Sequence, residues 1–256
     1  MANRTIDLGQ VLNDSSYTRN QINKNAPETT FQYFEDFVGQ AVAGTEADSV
    51  WIFHNGSDVP AIDPAINVQE GGVIRLTAGT GDGSFAADNS QMVMHLPWQA
   101  DSGGLAFECR VKITDVSECS LYVGFTDITT ADEEPFAVSG TTITSACDDG
   151  AGFVYDTAMT TPAYWAVGTD TTVDATGSGT TGIVPTDAAY NILRMEIDAD
   201  GEGASAYIDD VLVGTLTASV CAASTNLYFT VAANGNGTNA AAATVDVDYI
   251  LIERTR

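Results

Sequence analysis

The sequence predicts an all-β chain folded as an antiparallel sandwich. Three observations carry that expectation: apolar and polar residues alternate with period two over several runs, Gly/Asp/Asn/Thr clusters separate those runs, and no stretch sustains the 3.6-residue period of a helix. With 44% of its 256 residues hydrophobic and 17% charged, the chain holds enough apolar material for a large core.

Taken in order, residues 1–30 read as a leader. They are rich in Asn, Gln, Ser and Thr, carry a short apolar cluster (Ile6, Leu8, Val11, Leu12), and offer little else to bury before Phe31. Such a segment builds no core of its own, so it is expected to be an extended arm that orders on a partner or a tail without a role. The body is then residues 31–256. In Leu105–Ile113, Leu105, Phe107, Cys109, Val111 and Ile113 alternate with Glu108, Arg110 and Lys112, the pattern of a half-buried strand. Cys119, Leu121, Val123 and Phe125 repeat it, and the two runs are expected to form a hairpin across Thr114–Glu118. Leu193, Met195 and Ile197 alternate with Arg194, Glu196 and Asp198, and Val245, Val247, Tyr249 and Leu251 with Asp246 and Asp248. The clusters at Gly79–Gly83, Asp148–Gly152, Asp174–Gly182 and Asn234–Gly237 supply the positive-φ residues that tight turns need.

Charge narrows the function classes. Nine basic against 35 acidic side chains give a formal charge of −26. The leader is neutral, residues 31–253 carry four basic against 32 acidic residues, and Arg254 and Arg256 follow. A surface of that sign repels nucleic acid and anionic membranes, so neither is expected as a partner. No targeting signal or apolar run of membrane-spanning length is seen, which points to synthesis in the cytoplasm. Cys109, Cys119, Cys147 and Cys221 lack CxxC spacing and only His54 and His95 accompany them, so buried thiols are expected and a zinc site is not.

Phe107–Lys112 followed by Leu121–Asp127, then Gly152–Asp156 with Tyr164–Val167, then Leu193–Asp198 with Ala206–Asp210 and Val213–Thr215, and finally Val245–Ile250 form an ordered series. That series resembles the concanavalin A-like (laminin G-like) jelly roll. Asp210 departs from the pattern, standing where a turn glycine is commoner. With the leader and Phe34–Phe37 (FEDF), the set is similar to jelly-roll structural proteins of tailed bacteriophages. The resemblance implies a non-enzymatic virion protein, a head-decoration (cement) protein on the outer capsid surface. It would be made in the host cytoplasm, assemble as a homo-oligomer (trimer), and clamp the major capsid protein. Ile6, Leu8, Val11 and Leu12 would anchor the arm, and Arg4, Arg19 and Lys24 would pair with capsid acids. The alternative is a glycan-binding module of a tail fibre or host-recognition complex, with Trp51, Asn55 and Trp98 as the candidate sugar contacts.

Other chemistry is weaker. Glu196-Ile197-Asp198-Ala199-Asp200 is similar to the Glu-x-Asp-x-Glu strand of glycanases on this fold, where alternate acids share one face. Here the third acid is an Asp and Gly201-Glu202-Gly203 turns the chain directly after it, so no enzyme is expected. Gly177–Gly182 matches GxGxxG but Ile183-Val184-Pro185 follows in place of a helix, so a loop is expected. Asp127, Asp132, Glu133 and Glu134, with Asp148 and Asp149, are weak candidate Ca²⁺ ligands; in so acidic a chain solvated loop acids are the favoured reading.

Overall fold

Period-two alternation becomes two stacked antiparallel sheets. The computed structural model describes residues 30–37, 50–57, 72–79, 85–130, 133–171, 173–235 and 242–255. In chain order the strands are β1 (Thr30–Glu35), β2 (Trp51–Asn55), β3 (Ile74–Thr77), β4 (Asn89–Met94), β5 (Leu105–Ile113) and β6 (Cys119–Thr126). There follow β7 (Phe136–Ser139), β8 (Thr142–Ser145), β9 (Asp149–Asp156), β10 (Trp165–Asp170), β11 (Val173–Asp174) and β12 (Gly179–Thr180). The last are β13 (Tyr190–Ile197), β14 (Gly203–Ile208), β15 (Val211–Thr217), β16 (Tyr228–Gly235) and β17 (Thr244–Thr255). A one-turn helix, α1 (Phe85–Asp88), precedes β4. Sheet A runs β1-β17-β5-β13-β14-β15 with β3 beside β17, and sheet B runs β11-β10-β9-β6-β16-β4-β2 with β12 beside β10. The expected antiparallel jelly-roll sandwich is what forms. The arm expected over residues 1–30 lies outside the described residues, apart from Thr30, which opens β1.

Two local expectations are corrected. Thr114–Glu118 does not close a hairpin: β5 pairs with β13 and β17 in sheet A, while β6 pairs with β9 and β16 in sheet B. The linker arches between the sheets, so the apolar faces of the two strands meet across the core. Phe107 of β5 inserts among Phe125, Phe153 and Phe229 of sheet B, with ring centroids 5.6, 6.3 and 5.2 Å away. Asp148–Gly152 is not a turn either, because β9 begins at Asp149. Its Gly152 lies opposite Gly124, and a Cβ on Gly152 would come within 2.8 Å of the Gly124 Cα and 3.1 Å of the Tyr122 ring. The glycine pair leaves room for that ring, whose hydroxyl donates to the Phe125 carbonyl at 2.6 Å. Phe136 of the β7–β8 hairpin covers the ring at 5.7 Å.

The late hairpin β14–β15 closes through Asp209 and Asp210, both at positive φ (50° and 67°). Two consecutive left-handed residues make the turn that suits strand twist, and Asp tolerates it better than most residues. Cys109, Cys119, Cys147 and Cys221 are buried and form no disulfide. Burial pushes the Cys147 and Cys221 thiols up to about 12, which leaves little thiolate for reaction.

The solvent face of sheet A is a charge ladder. Asp246 of β17 stands in register between Arg75 of β3 and Lys112 of β5. Its carboxylate is fully buried, 2.6 Å from Arg75 and 2.7 Å from Lys112. Arg110 pairs with Asp248 and, like Lys112, lies over the Tyr190 ring. Arg194 reaches Glu196 at 2.5 Å, Glu108 at 3.6 Å and Glu253 at 4.0 Å. Burial alone would raise the Asp246 carboxyl, but hydrogen bonds from Arg75 and Lys112 outweigh it and hold the group below its ordinary value. Its contribution is therefore present above the unfolded carboxylate range and is lost as pH falls through the folded one. Asp246→Asn should lower unfolding free energy by about 3 kcal/mol at pH 7, since two cations lose their counter-charge. The difference between variant and wild type should shrink by pH 3, as read by urea titration at both values.

Candidate functional site

At one end of the sandwich the two sheets leave a cleft of about 250 Å³, lined by Phe31, Leu96, Pro97, Trp98 and Arg254. Strand pairing builds its sheet A wall, because Phe31 of β1 lies directly opposite Arg254 of β17. The other wall follows β4, where Trp98 exchanges two backbone hydrogen bonds with Leu227, each 2.8 Å. The Trp98 ring is buried at 3% exposure and its indole N–H points to the Met94 sulfur at 3.2 Å. Phe31 packs on it, centroids 5.6 Å apart and planes at 48°, yet remains 42% exposed, as Leu96 does at 40%. Aromatic and aliphatic surface thus faces solvent beside a guanidinium whose Nε is buried with no hydrogen-bond partner.

Of the residues expected to contact sugar, Trp98 lines this cleft and Trp51 and Asn55 do not. Trp51 of β2 is buried between Tyr33 and Phe37, centroids 6.2 and 6.3 Å away. The Asn55 amide oxygen accepts from the Ser90 hydroxyl at 3.2 Å. Phe31, Leu96 and Arg254 escaped the sequence reading. The one signal for Arg254 was its position as a cation directly after an acidic body. The arm residues Arg4, Ile6, Leu8, Val11, Leu12, Arg19 and Lys24 lie outside the described residues.

Among the candidate calcium ligands, Asp149 uses its carboxylate internally, accepting from the Ala222 N–H at 2.5 Å and the Thr225 hydroxyl at 3.1 Å. That contact moors the loop before β16. The Asp127 N–H donates to the Asp149 carbonyl at 3.0 Å. Burial, with Asp149 and Asp148 nearby, raises the Asp127 carboxyl. Asp132 lies outside the described residues, and no group of three or more His, Cys, Asp or Glu among the described residues is arranged to hold a metal.

The Glu196–Asp200 run does not present three acids from one strand. Strand β13 ends at Ile197, Glu196 is engaged by Arg194 at 2.5 Å, and the Asp200 carboxylate accepts from the Glu202 N–H at 3.1 Å within the turn. A different carboxyl pair lies on the outward side of sheet B. Cross-strand register places Asn89, Asn234, Ser120 and Asp156 in one row, all nearly inaccessible. Glu134 joins the row from the segment before β7, close to Ser120 and Asp156. Burial first, then the charge of Asp156, pushes the Glu134 carboxyl up to about 8. Burial thereby favours the neutral form of Glu134 beside a second carboxyl.

No protein-family model and no curated protein matches the chain. Solved structures do. The Emp47p carbohydrate recognition domain is similar with a TM-score of 0.57 at 10% identity, covering 90% of this chain and 97% of that one. A β-1,3-1,4-glucanase (lichenase) derived from a mouse hindgut metagenome gives 0.55 at 11% identity, covering 86% and 98%. The Bacillus licheniformis β-glucanase gives 0.53 at 14% identity, covering 88% and 98%. At such identities the likeness establishes the fold alone: the chain has a concanavalin A-like jelly-roll fold. The expectation that it is not an enzyme is corrected by these neighbours, since glycoside hydrolases are built on the same sandwich. An incomplete acid motif on one strand does not exclude hydrolysis.

Glu134 yields a pH signature. A carboxyl raised from 4.5 to about 8 in the fold binds its proton more tightly there than in the unfolded chain, so stability is full below the unfolded value and declines as pH rises through that window. Glu134→Gln keeps a neutral side chain and should remove most of the decline. Melting temperatures recorded from about pH 5 to pH 8.5 should fall more for the wild type than for the variant; parallel curves would return Glu134 to the ordinary carboxylate range.

Proposed function

We propose that this chain is a glycan-binding jelly-roll module and that the cleft of Phe31, Leu96, Pro97, Trp98 and Arg254 receives the sugar. The observation that carries the reading is an exposed phenylalanine ring backed by a buried tryptophan, with the Arg254 side chain at its margin. A pyranose has an apolar C–H face and a rim of hydroxyls, so it needs both kinds of surface in one place. A carbohydrate recognition domain and two glucanases on this fold support the assignment. Phe31→Ala should weaken binding of the best oligosaccharide from a glycan array by about tenfold, read by titration calorimetry. Thermal stability should change little, because that ring is already 42% exposed. An array with no hit overturns the reading, and reducing-end release during the same incubation would reveal cleavage.

The finer placement, on a tailed-phage particle, rests on the ordered strand series and the neutral leader. The module would then face outward, either in a fibre or host-recognition complex or as a capsid decoration whose residues 1–30 dock on the major capsid protein. Deleting residues 1–30 separates the two. A glycan module should keep its sugar affinity, whereas a decoration protein should cease to co-sediment with capsids that lack it.

A further inference from the structure

Of the five Lys and Arg side chains among the described residues, four are spoken for. Arg75, Arg110, Lys112 and Arg194 each pair with at least one acid on the outer face of sheet A. Arg254 is different. Among the described residues it has no ion-pair partner, its Nε is buried without a hydrogen-bond partner, and it lines the aromatic cleft at the end of the sandwich. In a chain of 35 acids and nine bases an arginine without a carboxylate calls for a physical reason. A buried donor of a charged group left unpaired carries its full desolvation cost.

The local geometry keeps protein acids from supplying that partner. Arg254 faces inward opposite Leu105 and Phe31, while its neighbour Glu253 faces outward to Gln32 and Arg194. The other lining residues, Phe31, Leu96, Pro97 and Trp98, carry no charge. The cleft therefore joins one positive donor to uncharged aromatic and aliphatic walls within a strongly acidic molecule.

We propose that the cleft selects acidic sugars, pyranoses bearing a carboxylate, with Arg254 receiving the carboxylate while Phe31 contacts the ring face. This rests on the glycan-binding reading above and names its ligand class. A guanidinium offers paired donors that fit a carboxylate, whereas a neutral sugar hydroxyl in the same place accepts a single, weaker hydrogen bond with no opposite charge. Net charge does not forbid the encounter: at physiological salt the Debye length is about 8 Å, so distant acids are screened more than the contact itself.

The test uses the full chain, titrated calorimetrically with a uronic-acid tetrasaccharide and with the same tetrasaccharide after its carboxyls have been reduced to alcohols. The uronate should bind at least about tenfold more tightly than its reduced form. Arg254→Met should erase that difference by weakening the uronate far more than the reduced form, and Arg254→Lys should restore part of it. Equal affinity for both sugars, or a preference that survives Arg254→Met, overturns the selection by Arg254 and leaves glycan binding standing. Binding of neither sugar, together with a blank array, removes the glycan reading itself. A short acidic peptide that displaces bound uronate and binds more tightly through Arg254 would also overturn the proposal, since the site would then be a peptide carboxylate pocket. Circular dichroism of each variant separates loss of binding from loss of fold.

Discussion

Strand β17 has one residue more than its neighbour β5 can match, and that surplus positions much of the molecule. The register slips between Val247 and Tyr249, so Asp248 has no partner in the ladder. Before the bulge the odd-numbered residues Val245 and Val247 point into the core; after it the even-numbered Ile250 and Ile252 do. A bulge changes which face each later residue occupies. Without the slip, Glu253 would be directed inward and Arg254 outward. With it, Glu253 joins the network around Arg194, Arg254 enters the cleft, and Asp248 meets Arg110.

The same strand fixes the electrostatics. Asp246 sits one residue before the phase change and binds sheet A laterally through Arg75 and Lys112. Four cations gathered on one sheet face leave the rest of the body strongly negative. Their value lies in geometry more than in net stability. Each is matched across strands, so a register shift would set like charges opposite each other.

Much of the fold was legible in the alternation of residues. The inward rows of β5, β6, β13 and the first half of β17 were readable as written, because a half-buried strand has only one way to sort its side chains. How adjacent strands connect was not readable. Thr114–Glu118 can close a hairpin or arch across a sandwich, and the choice belongs to the long-range pairings of β5 and β6. Gly152 was read as part of a turn because glycine usually marks one; here it clears space for Tyr122. The candidate site was less legible still. Trp98 stood out by residue type, but Phe31, Leu96 and Arg254 come together only through the β1–β17 register and the bulge. Glu134 lay in an acidic run of ordinary composition, and only burial beside Asp156 distinguishes it.

The pairing of Thr30 with Thr255 brings together residues near the two ends of the described chain. β1 leaves the ribosome long before β17 does. Until β17 emerges, β1 lacks its partner in sheet A, and β5 lacks one of its two neighbours. Completion of the sheet therefore waits for β17, and until it is made β1 and β5 keep exposed strand edges. High sequence separation makes such closure slow as well as late. The cleft stays without its guanidinium throughout that time, because Phe31, Leu96, Pro97 and Trp98 are all made long before Arg254.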